Sequence, residues 1–168
     1  MTPIAKHFVE ALVNDGAMAR YVTSVETPLS PEAAFAFMAD VTRFAEWDPG
    51  VKRAVRVRGE APAFGTIYEL TVEAGTTTVM RYATTEFQSP RRFVLVAKTA
   101  FLTSVDEVRV EPSATGAKVT YDAKLTLNGP LSVFDSLLAK AFERLGDKAA
   151  SGLRAALRAP AVEGRPAA

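Results

Sequence analysis

Residues 117–157 read AKVTYDAKLTLNGPLSVFDSLLAKAFERLGDKAASGLRAAL. Up to residue 125 every second side chain is apolar or aromatic: Ala117, Val119, Tyr121, Ala123 and Leu125. That is the period of a strand with one buried face. Asn128-Gly129-Pro130 then punctuates the chain. Beyond it Phe134, Leu138, Ala141, Leu145, Ala149 and Leu153 recur at spacings of three and four, with Leu137, Phe142 and Ala156 widening the stripe. This predicts one amphipathic helix over 131–157. It would be ~40 Å long, against ~33 Å for a strand of about ten residues, so it should lie across a sheet of matching width. Gly146 and Gly152 each cost about 1 kcal/mol of helix propensity, which predicts close packing or a bend at those turns.

Upstream, the period of two continues back to residue 51. Strands are expected over 52–58, 66–73, 76–87, 92–100, 103–111 and 117–127, with Ser89-Pro90 and 112–116 among the turns. Connections this short imply antiparallel pairing. An earlier strand, 20–27, places Tyr21, Thr23 and Val25 on one face. Ser30-Pro31-Glu32 is a helix start, with a capping serine and a proline in the first turn. Two short helices are expected, to about residue 39 and over 41–46, ended by the turn Asp48-Pro49-Gly50. A further helix over 2–14 carries Ile4, Phe8 and Leu12 on one stripe, and 159–168 reads as a tail. The expectation is therefore a single α+β domain over 1–168: a curved antiparallel sheet of about seven strands wrapped around a long C-terminal helix, with a core at 20–157. A cleft between sheet and helix, roofed by the two short helices, would be the default small-molecule site.

The segment order, the stretch Phe44-Ala45-Glu46-Trp47-Asp48-Pro49-Gly50-Val51, the Gly65-Thr66 strand start, the Ser89-Pro90-Arg91-Arg92-Phe93 hairpin and the turn Thr115-Gly116-Ala117-Lys118-Val119 together resemble the START-like polyketide cyclase/dehydrase superfamily. The resemblance implies the helix-grip fold and binding of a hydrophobic ligand. It carries no catalytic signature onto particular residues of this chain, because only some members catalyse a reaction.

Composition works mainly by exclusion. Lys+Arg number 20 against Asp+Glu 19, a net charge of +1, which argues against a dedicated nucleic-acid binder. There is no cysteine, and His7 is the single histidine, so thiol nucleophiles, clustered metal ligands and a Ser-His-Asp triad are not expected, and no cofactor or metal is. His7 reads as a half-buried residue of the first helix. No apolar run approaches the ~20 residues of a membrane helix, and no signal-peptide core is visible. A cytoplasmic protein is expected.

The concave face is expected to present Tyr68, Leu70 and Val72, then Met80, Tyr82 and Thr84, then Val119, Tyr121, Ala123 and Leu125. Leu95 and Val108 join them from the intervening strands, and Phe134, Leu138 and Phe142 face them from the helix. Trp47 lies either at the cleft mouth, stacked on a ligand, or as a staple between the short helices and the sheet rim, the reading favoured here. Asp106 shares its phase with Val108 and Val110. The more ordinary reading puts it in water at a strand end or resets the phase with a bulge. The sharper one puts a carboxylate in the cleft, where burial raises its pKa and makes it the candidate acid or base. Lys52, Arg56 and Arg58 are expected as a basic strip on the outer face, open to contact with an anionic membrane surface or left to solvent.

Three functions compete. The leading one is a carrier of a lipid, sterol, fatty acid or polyketide-like molecule. The second is a cyclase or dehydratase with neither metal nor covalent intermediate. The third is an interaction module dimerising through Ile4, Phe8 and Leu12, so monomer and homodimer both stay open.

Overall fold

The computed structural model describes residues 18–73, 76–128 and 135–158, with side chains for 19–73, 76–128 and 143–158. The expected helix at 2–14 with His7, the tail at 159–168, and the side chains of Phe134, Leu138 and Phe142 lie outside the described residues. So does any dimer contact through Ile4, Phe8 and Leu12.

Seven strands form one antiparallel sheet: β1 (Met18–Thr27), β2 (Val51–Arg58), β3 (Ile67–Glu73), β4 (Thr77–Gln88), β5 (Arg92–Lys98), β6 (Leu102–Ser113) and β7 (Gly116–Leu127). Their order is β1-β7-β6-β5-β4-β3-β2. Five successive hairpins run from β2 to β7, and β1 closes onto β7 in register over its whole length, from Met18↔Thr126 to Thr27↔Ala117. Register shifts at Val51/Arg53, Arg56/Arg58 and Thr84/Glu86 mark bulges, which bend strands and increase local twist.

The connection from β1 to β2 joins the two edges of the sheet. It holds α1 (Pro31–Ala39), a 3₁₀ turn (Val41–Arg43) and α2 (Phe44–Trp47). Ser30 caps α1 by accepting the Ala33 N–H at 3.2 Å, and Pro31 occupies the first turn, as the sequence predicts. Phe35 of α1 packs edge-on against Phe87 and Phe93, with ring centroids 5.4 and 5.7 Å away. That contact fixes α1 over the sheet.

The long helix α3 (Asp135–Arg158) runs along β1. Leu153 and Leu157 are fully buried. Thr27 Oγ1 donates to the Leu157 carbonyl at 2.6 Å, and the Tyr21 hydroxyl donates to Asp147 at 3.0 Å. Both helix glycines are explained by close approach: a Cβ on Gly146 would meet the Tyr21 ring at 2.3 Å, and one on Gly152 would meet the Trp47 carbonyl oxygen at 1.9 Å. The arrangement is the helix-grip fold that the resemblance implied.

The expected rows fall on the concave face. Cross-strand pairing carries one row through Tyr68, Tyr82, Ala97, Ser104 and Leu125, and the next through Thr84, Leu95, Asp106, Ala123 and Tyr21. Residues directly opposite one another share a face. One expectation is corrected. Lys52 and Arg58 lie on the outer face, Lys52 paired with Glu73 at 3.0 Å, but Arg56 pairs with Tyr68 and so belongs to the concave row. The bulges on either side of 53–56 reset the phase.

Candidate functional site

Asp106 sits in the middle of the sheet on the concave face, 6% exposed. The more ordinary expectation, a solvated strand end, is overturned: the phase set by Val108 and Val110 holds through Asp106, and both valines are buried beside it. The Ser104 hydroxyl donates to Asp106 Oδ1 at 3.3 Å. Burial pushes the Asp106 carboxyl up to about 7, and the negative charge of Asp48 adds to the shift. Hydrogen bonds from Ser104 and Tyr121 act against both. No basic side chain forms an ion pair with Asp106 among the described residues.

Two phenols accompany it. Burial raises Tyr121 well above the ordinary phenol range, and the charges of Asp106 and Asp48 push in the same direction. Burial likewise raises Tyr82, with Asp106 adding to the shift. The Tyr82 hydroxyl donates to the Met80 sulfur at 4.0 Å, a weak acceptor, and a hydrogen bond from Ser104 works against the rise. Both phenols therefore stay protonated and available as donors at any physiological pH.

Trp47 closes α2, and its ring lies edge-on to Tyr121 with centroids 5.5 Å apart, backed by Phe44 at 4.8 Å. It bridges the short helices to the sheet interior rather than only to its rim. Its indole Nε1 is buried without a hydrogen-bond partner among the described residues. Asp48, the next residue, accepts the Gly50 N–H at 2.8 Å, which makes the turn, while burial raises its carboxyl. A residue expected only as turn architecture thus also contributes negative charge to the interior. Composition could not signal this, because the Asp-Pro-Gly turn is explained without it.

Tyr68 is fully buried, and among the described residues its hydroxyl has no partner beyond its interaction with Arg56. Burial raises its pKa and the neighbouring Arg56 charge works against the shift, with Asp40 adding to it. Leu70, Met80, Leu95 and Val108 are buried apolar wall, and Leu125 is half-buried. The interior is thus an apolar surface broken by the Asp106 carboxyl, with Asp48 close enough to act on it, by a serine and by several phenol and indole donors. Among the described residues no group of His, Cys, Asp or Glu is placed to hold a metal ion, and no helix is long and apolar enough to cross a membrane.

The fold is shared with solved structures of low sequence identity. A START superfamily protein from Mycobacterium smegmatis superposes with a TM-score of 0.68 at 15% identity, covering 84% of this chain and 97% of that one. The Zhui aromatase/cyclase from Streptomyces sp. R1128 gives 0.69 at 12%, covering 88% and 99%. The di-domain ARO/CYC protein StfQ of the steffimycin biosynthetic pathway gives 0.64 at 10%; it covers 84% of this chain, which spans 51% of that larger one. Among curated proteins, none matches the chain in sequence. The family model described as polyketide cyclase/dehydrase and lipid transport matches residues 18–158, and with the helix-grip fold and its apolar interior in place, the chain belongs to that family.

Proposed function

We propose that the chain binds an apolar small molecule bearing at least one oxygen function, held between the concave sheet face and α3, with Asp106 and its neighbouring phenols meeting that oxygen. The observation that carries this reading is the buried Asp106 carboxyl without a cation. An unpaired carboxyl in an apolar interior costs several kcal/mol and does nothing for folding that an apolar residue would not do better. A ligand oxygen gives it a partner. Neutral Asp106 donates to a carbonyl, and the carboxylate accepts from a hydroxyl. Trp47, Tyr68, Leu70, Met80, Tyr82, Leu95, Val108, Tyr121 and Leu125 supply the wall and further donors. Transport of a lipid, sterol, fatty acid or polyketide-like cargo is the physiological form of this binding. The family description names lipid transport beside polyketide chemistry, which supports that breadth.

The test uses emodin, a hydroxylated anthraquinone, and anthracene, the matching ring system without oxygen. Wild-type protein binds emodin more tightly, and Asp106→Asn weakens emodin by about tenfold, the loss of one hydrogen bond to a charged group, with anthracene unchanged. Equal affinity for the two probes, or binding of neither, overturns the reading.

One observation favours a second reading. A carboxyl titrating near 7 is populated in both forms at neutral pH, as general acid–base catalysis requires. On a poly-β-ketone, Asp106 as carboxylate would take a proton from the methylene between two carbonyls. The carbanion would attack a third carbonyl carbon to form the ring bond, and the carboxylic acid would return its proton to the new alkoxide. Asp106→Asn that keeps binding but loses ring closure supports catalysis; binding by wild type with no ring closure leaves the carrier.

A further inference from the structure

The concave rows of the sheet carry a single basic side chain among the described residues. The inward positions of β3 to β7 and β1 are apolar, aromatic, hydroxylic or, at Asp106, acidic. On the edge strand β2 the inward row passes through Ala54 and Arg56. Among the described residues Arg56 forms no ion pair, whereas Arg20, Arg81, Arg92 and Arg109 elsewhere on the sheet do. Directly opposite it on β3 lies Tyr68, whose buried hydroxyl interacts with the Arg56 guanidinium and has no further partner among the described residues.

We propose that Arg56 and the Tyr68 hydroxyl form a carboxylate-binding subsite at the β2 edge of the concave face, so that the cargo is an elongated apolar acid. This rests on the proposed ligand-binding function and specifies the class of ligand. The chemistry is complementary: a guanidinium fork and a phenol both donate, and a carboxylate accepts from both. The position also fits. Arg56 is exposed, so a charged head group there keeps its water, while Tyr68 sits behind it in the interior. Asp40 adds negative charge near Tyr68, and its Oδ1 already accepts the Thr42 hydroxyl at 2.5 Å.

The geometry also sets a length. From β2 to β6 are four strand steps, about 19 Å along the sheet at the usual spacing and less across its concavity. A ligand whose carboxylate lies at Arg56 reaches Asp106 only through a long apolar body. The inference thus selects a chain-like or multi-ring acid over a compact one such as benzoate.

The test compares cis-parinaric acid, a fluorescent long-chain fatty acid, with its methyl ester. Wild-type protein binds the acid about tenfold more tightly than the ester, the increment of one charge-assisted hydrogen bond. Arg56→Gln removes that preference and leaves ester affinity unchanged, which also shows that the variant is folded. Tyr68→Phe reduces the preference partly. Arg58→Gln, two residues along but on the outer face, leaves it intact. Equal binding of acid and ester by wild type, or an equal loss in Arg58→Gln, overturns the subsite while leaving the binding function standing. Binding of neither probe overturns both.

Discussion

Asp106 and Glu107 are consecutive residues on β6, and they face opposite sides of the sheet. Both are less than a tenth exposed, yet they are treated differently. Glu107 on the outer face accepts from Arg92 Nε at 2.5 Å and forms an ion pair with Arg109 Nε at 2.7 Å, and Arg92 also engages Glu86. Across β7, its neighbour Asp122 is gripped by Arg20 through two bonds of 3.0 and 2.7 Å. Burial alone would raise Asp122; the hydrogen bond from Arg20 and the charges of Lys124, Arg20 and Arg109 outweigh it and hold its pKa below the usual carboxylate value. Asp106 has a serine hydroxyl and a phenol instead. The outer face is a finished electrostatic network, whereas the inner face keeps one carboxyl without a counter-charge. Buried charge serves stability on one side of the sheet and is set against stability on the other.

Removing the two charges should therefore act in opposite directions. The largest effect is expected from Asp106→Asn. In the unfolded chain this carboxyl titrates near its ordinary value, and in the folded protein at about 7. Between those values the folded state binds more protons than the unfolded one, so wild-type stability falls as pH rises. The amide removes that loss. At pH 8 the variant should be more stable by about 3–4 kcal/mol, and at pH 4 by almost nothing, as read by urea denaturation at both pH values.

Asp122→Asn should do the reverse, at a smaller scale because Arg20 is half exposed. A loss of about 1–2 kcal/mol at pH 7 is expected. A depressed folded pKa contributes stability above the unfolded value that disappears as pH falls through the folded one. Wild type and variant should accordingly converge as pH falls below the ordinary carboxylate range and through the lowered folded value. A gain in stability would show that the outer network is not compensated. The smallest effect is expected at the exposed Arg81–Glu69 pair, 3.1 Å apart. Arg81→Met should change the thermal midpoint by an amount corresponding to under about 0.5 kcal/mol.

The fold was legible because its two periods are clean. The change from two to 3.6 at Asn128 and the turn signals between strands leave few arrangements of one sheet and one long helix. The burial of Asp106 could be reached by counting from Val108 and Val110, but solvation at a strand end competes with that count, and only the paired neighbours decide it. Arg56 was misplaced for the opposite reason. A bulge adds a residue without a sequence signature, and two of them flank 53–56. The roles of Asp48 and Ser104 were invisible because each has an ordinary local explanation. The outer network was missed because Asp122 and Glu107 sit where alternation predicts water; they are buried by side chains from other strands, which no local pattern encodes.

The comparison rests on Asp106 being a buried carboxyl without a counter-charge, and its titration tests that directly. The carboxyl carbon of Asp106, assigned by comparison with Asp106→Asn and followed by ¹³C NMR across pH 3–9, should move with a midpoint near 7, on the high side of the ordinary Asp range. A midpoint at or below about 4 would mean that the carboxyl is solvated or paired, and would contradict the account of the interior given above.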